Sequence, residues 1–78
     1  MSEQDVYKEL AELESEIQRL GDEQRQCEAE VRRLLEAEAA GEGCQAAAIH
    51  QLKQKKMMLG TQMQHLRARA STLKLGIY

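Results

Sequence analysis

The stretch Glu36-Ala37-Glu38-Ala39-Ala40-Gly41-Glu42-Gly43-Cys44 decides the fold. Two glycines within three residues are the only strong helix breaker in a chain without proline. Either glycine can take the left-handed conformation that ends a helix. On both sides of this break the sequence carries a heptad pattern, so the reading turns on whether the chain reverses there.

Before the break, apolar residues fall at Val6, Leu10, Leu13, Ile17, Leu20, Cys27, Val31 and Leu34. The spacing alternates four and three, which is the seam of an amphipathic helix in a coiled coil. Val6, Leu13, Leu20, Cys27 and Leu34 are d positions; Leu10, Ile17, Gln24 and Val31 are a positions. After the break the pattern resumes with Ile49, Lys56, Met63, Ala70 and Ile77 at a and Leu52, Leu59, Leu66 and Leu73 at d. The spacing predicts a first helix over about 3–39, a turn over about 40–45 and a second helix over about 46–75. Ser2 or Asp5 can cap the first helix, and Glu3 and Asp5 suit the positive end of its dipole. Lys74 and Gly76 suit the end of the second.

In an antiparallel hairpin each a layer faces a d layer, so paired residue numbers share one sum. A sum of 83 joins every layer, from Val6 with Ile77 to Leu34 with Ile49, and its midpoint falls within the glycine pair. Turn and heptads, read separately, agree. Charge agrees as well. Residues 1–40 hold 12 acids and 5 bases, net −7, and residues 41–78 hold 1 acid and 6 bases, net +5, giving the chain's −2. An acidic helix laid beside a basic one selects partner and orientation more than it adds stability.

The expected fold class is therefore all-α: an antiparallel two-helix coiled-coil hairpin, one domain over residues 1–78, pairing into a four-helix bundle. Ala, Glu, Leu, Gln, Lys and Arg dominate the composition, and all are good helix formers. No segment reaches the roughly 20 apolar residues that span a bilayer. The acidic N-terminus lacks the features of a signal peptide. The expected location is the cytoplasm, with both cysteines reduced.

Nothing in the sequence assembles a catalytic or metal site. His50 and His65 lie fifteen residues apart on one helix, about 22 Å along its axis. Cys27 belongs to the seam and Cys44 to the turn, too far apart for a disulfide or a shared zinc. Gly41-x-Gly43 lacks the strand and the lysine of a phosphate loop. No serine has a histidine and a carboxylate placed to activate it. The expectation is a protein that is not an enzyme and takes no cofactor.

Two polar residues occupy a positions. Gln24 and Lys56 sit in neighbouring layers, where such residues fix register at a cost in stability. Lys56 is expected to keep its ammonium wet, with Glu23, Glu28 or Glu30 as acceptor. Gly21 and Gly60 lie in the same region, marking the midpoint as a hinge, a close helix crossing or a tolerated imperfection.

Tyr7, Leu35, Met57, Met58, Leu75 and Tyr78 are surplus to a two-helix seam. They suggest a second surface, used for homodimerisation or for docking on a protein partner. A homodimer is favoured over a monomer, because two hairpins together offset the small core of one. The functional expectation is a protein–protein interaction module: adaptor, inhibitor, assembly factor or scaffold subunit. The alternative is a nucleic-acid-associated protein using the basic second helix. Net negative charge and the lack of aromatics among the basic residues weigh against it.

The run Leu52-Lys53-Gln54-Lys55-Lys56-Met57-Met58-Leu59, ending at Met63, resembles the Leu-Lys-x-x-Lys-Leu-x-Leu run in the second helix of small bacterial YdcH-type proteins. The resemblance covers about a dozen residues. It implies a helical hairpin of similar length without a known catalytic role. The family's acidic pair after the run is replaced here by Gly60 and Thr61.

Overall fold

A computed structural model describes residues 2–76 and the main chain of Ile77. Tyr78 lies outside the described residues, as does the Val6–Ile77 layer of the seam. Two helices make the fold: α1 (Glu3–Ala39) and α2 (Ala46–Ile77), packed against each other as a hairpin. The molecule measures 59 × 15 × 14 Å. A single continuous helix of this length would extend about 120 Å, so the chain reverses.

The reversal follows from backbone hydrogen bonding. The last carbonyls of a helix have no partner within it. Here Gly41 N–H donates to the Glu38 carbonyl and Glu42 N–H to the Ala37 carbonyl, both at 3.0 Å. That pair of bonds is a Schellman motif, and it requires a left-handed residue just past the helix end. Gly41 supplies it with φ +83°, and Gly43 turns the chain further with φ +99°. At the other end Ser2 caps α1: its hydroxyl accepts from the Asp5 N–H at 3.3 Å and donates to the Asp5 carboxylate at 2.9 Å. Of the two candidate caps, Ser2 is the one used. α2 runs through Gly76, beyond the expected end at 75, since this glycine does not adopt the left-handed conformation that stops a helix.

The seam is as the heptads require. Every described a and d residue of both helices is buried or half-buried. Leu20, Cys27, Leu59 and Met63 form the central cluster, with Ile17, Leu52 and Leu66 packed against it. The midpoint glycines have separate explanations. Gly60 makes room for Gln24, whose amide nitrogen would lie 3.0 Å from a Cβ there. At Gly21 a Cβ would meet the Met63 methyl at 3.5 Å and the Arg25 guanidinium at 3.8 Å, both ordinary contacts.

Opposite effects are expected at two glycines. Gly21→Ala makes an ordinary contact and gains helix propensity, raising stability by up to about 1 kcal/mol. Gly41→Ala forces a side chain into a left-handed conformation and lowers stability by roughly 1–2 kcal/mol. Urea unfolding followed by far-UV circular dichroism measures both, and equal signs would contradict the turn geometry.

Candidate protein-interaction surface

Charged side chains order the flanks of the seam before they define any outer surface. Across it, Lys56 Nζ meets Glu28 Oε1 at 2.7 Å, Arg69 Nε donates to Glu9 Oε1 at 2.9 Å, and Lys74 reaches Glu14 at 3.8 Å. Acids of α1 thus meet bases of α2, in the sense of the charge asymmetry. Of the three acceptors expected for Lys56, Glu28 is the one it meets. Gln24 donates its amide to the Lys56 carbonyl at 3.0 Å, so the two polar a residues are tied together across the helices. No buried side-chain nitrogen or oxygen among the described residues lacks a partner.

Hydrogen bonds to nearby cations hold three carboxyls of α1 below their ordinary range. The partners are Arg19 for Glu16, Lys56 for Glu28 and Arg33 for Glu30, and in each case the attraction of the same cation adds to the bond.

A hydrogen bond to a carboxylate lies at the turn. The Glu38 carboxylate accepts a hydrogen bond from the Gln45 N–H. Gln45 immediately precedes α2, and its carbonyl accepts from Ile49 N–H at 2.9 Å. α2 has no acid in its first turn. The last turn of α1 therefore supplies the negative charge that the start of α2 lacks. Sequence reasoning missed this contact; the signal for it was a second helix with no capping residue of its own.

The apolar residues surplus to the seam separate by helix. Tyr7 and Leu35 flank the seam on α1 and are about half exposed. Met57, Met58 and Leu75 stand on the outer side of α2, with exposures of 73%, 64% and 81%. Tyr78 is outside the described residues. Met57 and Met58 join Thr61, Gln62 and His65 along an open groove of about 300 Å³.

The heptad assignment reveals a property of α2 that the list of apolar residues does not. All six of its charged residues, Lys53, Lys55, Lys56, Arg67, Arg69 and Lys74, occupy a, e or g positions, in or beside the seam. The b, c and f positions, from Ala47 to Leu75, are all exposed and hold no Asp, Glu, Lys or Arg. On α1 the corresponding positions carry Glu12, Asp22, Arg32 and Glu36 among other charges. The hydroxyls of Thr61 and Thr72 donate to the carbonyls of Met57 and Ala68, so part of the polarity on this face of α2 is satisfied within the helix.

Among the described residues no three His, Cys, Asp or Glu side chains come together to hold a metal ion. His50 and His65 are both exposed; Cys27 is buried in the seam and Cys44 exposed in the turn, both as free thiols. No described helix is long and apolar enough to cross a membrane. The chain matches no protein-family model, no curated protein and no solved structure.

The Glu28–Lys56 contact has a testable acid dependence. A folded-state carboxyl held below its ordinary value of 4.5 adds stability at neutral pH, and that stability is lost as the pH falls through the folded value. The gap in melting temperature between the native chain and Glu28→Gln is expected to be full above about pH 5 and to close towards pH 2. Thermal melts across that range check it; a gap independent of pH would contradict the ionic contribution.

Proposed function

We propose that the protein is a non-catalytic, cytoplasmic interaction module that acts by presenting the outer face of α2 to a protein partner. The observation that carries this reading is the charge-free, fully exposed b/c/f face of α2 set against the charged outer face of α1. A solvated helix face normally carries charges; an exposed face without them, with methionines at its centre, suits contact with another helix. The rest of the geometry is consistent with this. The groove along Met57 and Met58 is open, unlike the enclosed sites that general acid–base chemistry uses. The resemblance of residues 52–63 to YdcH-type hairpins fits the same reading.

The nucleic-acid alternative is weaker. The bases of α2 flank the seam, and Lys56, Arg69 and Lys74 already meet acids of α1.

Immobilised native chain is expected to retain protein from an extract of its own host, and Met57→Glu/Met58→Glu to lose it while Glu12→Gln does not. Equal retention by all three chains would contradict the assigned face. Salt-sensitive retention of the chain on immobilised DNA would favour the alternative.

A further inference from the structure

Resting on the reading that the α2 face is a contact surface, the geometry points to a second copy of this chain as its occupant. The two α2 helices run antiparallel, with the two-fold axis between Met57 and Met58. Three observations carry this.

The face is self-complementary. Reversed about the midpoint of Met57 and Met58, its residues from Ala47 to Ala68 meet their own kind but for one pair, while Ser71, Thr72 and Leu75 lie beyond the overlap of the two helices. Ala47 of one copy lies opposite Ala68 of the other, His50 opposite His65, Gln51 opposite Gln64, and Met57 opposite Met58. The one unlike pair is Gln54 with Thr61. The heptad alone requires that b positions meet c and f meet f; it does not require like residues. An isologous interface uses one patch twice and must fit itself. Each pair does so chemically: methionines adapt to one another, primary amides both donate and accept, and alanines allow close approach.

Charge selects this register over its neighbours. Beside the face, at the e and g positions, stand Lys53, Lys55, Arg67 and Arg69. Antiparallel pairing sets e beside e and g beside g, so in this register Lys53, Lys55, Arg67 and Arg69 fall nearest Gly60, Gln62, Ala46 and Ala48 of the other copy, none of them charged. A slip of one heptad one way sets Lys53 beside Arg67 and Lys55 beside Arg69; the other way it sets Lys53 beside Lys53 and Lys55 beside Lys55 of the other copy. Those juxtapositions of like charge disfavour both slips.

The area fits. The hairpin exposes 5828 Å² at 8.9 kDa. A compact monomer of that mass exposes roughly 4,800 Å². The excess, about 1,000 Å², belongs to the elongated rod as a whole, and it leaves room for the roughly 800 Å² that each partner gives to a standard interface. Eight hydrophobic residues form the described core, and none of its side chains is fully buried, so an interface on the outer side of α2, separate from the seam, adds buried area that the small core lacks.

Sedimentation equilibrium on the full chain tests the proposal. The native protein is expected at roughly twice 8.9 kDa at tens of micromolar. Met57→Glu/Met58→Glu is expected to sediment as the monomer with its helical circular dichroism kept, since neither residue enters the seam. In a Cys44→Ser background, Met58→Cys is expected to form a disulfide between chains on mild oxidation. Leu75→Cys is not, because in this register its two copies lie about 50 Å apart along the helices. A native chain that stays monomeric overturns the proposal, as does a dimer indifferent to the glutamates or a cross-link through Leu75→Cys. A monomeric chain that still retains a host protein through the α2 face overturns self-association alone. One that retains nothing overturns the contact surface as well.

Discussion

An apolar seam some 30 residues long on each helix holds this molecule together, and it closes only if the chain reverses. Neither helix has another hydrophobic surface of comparable length to bury, and the two are connected by six residues. The Schellman motif at Gly41 is what couples them. It satisfies the last carbonyls of α1 and sends the chain back along its own seam. The Glu38 carboxylate then receives the Gln45 N–H on the far side of the turn, so the residue that closes one helix also opens the next. Turn and seam depend on each other: without the seam the turn is a local preference, and without the turn the two stripes stay on one long helix.

The seam in turn dictates where charge can go. Acids on α1 and bases on α2 gather on its flanks, where Lys56, Arg69 and Lys74 reach Glu28, Glu9 and Glu14. Such exposed pairs are each weak. Their consequence lies in placement. α2 has spent all its cations beside the seam, and its outer face is left without any. α1, richer in charge, keeps acids and arginines on its outer side as well, where Arg25 pairs with Asp22. One helix thus looks outward as a solvated surface and the other as a surface suited to a partner.

Most of the fold was legible in the sequence because a heptad is a geometric statement. Spacing of three and four fixes which residues of a helix share a face, and a pair of glycines fixes where the face can turn back. Gln24 and Lys56 were legible as polar layers for the same reason, though not the bond between them, which depends on the missing side chain at Gly60. The Glu38 contact was not legible, because it joins residues on opposite sides of a turn whose path the heptad does not specify. The outer surface was half legible. Hydrophobicity picked out Met57, Met58 and Leu75 and scattered attention to Tyr7 and Leu35, which lie beside the seam on the other helix. The lack of charge at the b, c and f positions of α2 shows only when residues are sorted by face.

That sorting also bears on why the midpoint of the hairpin looks imperfect. A polar layer and two glycines at the centre cost the two-helix core part of its stability. Gly60, however, is both the residue over which the Gln24 amide sits and, in the antiparallel pairing of two α2 helices, the uncharged neighbour of Lys53 from the other copy. A residue with a side chain at position 60 would crowd the first contact, and an acid or base there would alter the charge balance of the second. The same small residue answers to both surfaces of α2. This places the constraint on the middle of the helix in its two faces together, where helix propensity alone would have preferred alanine.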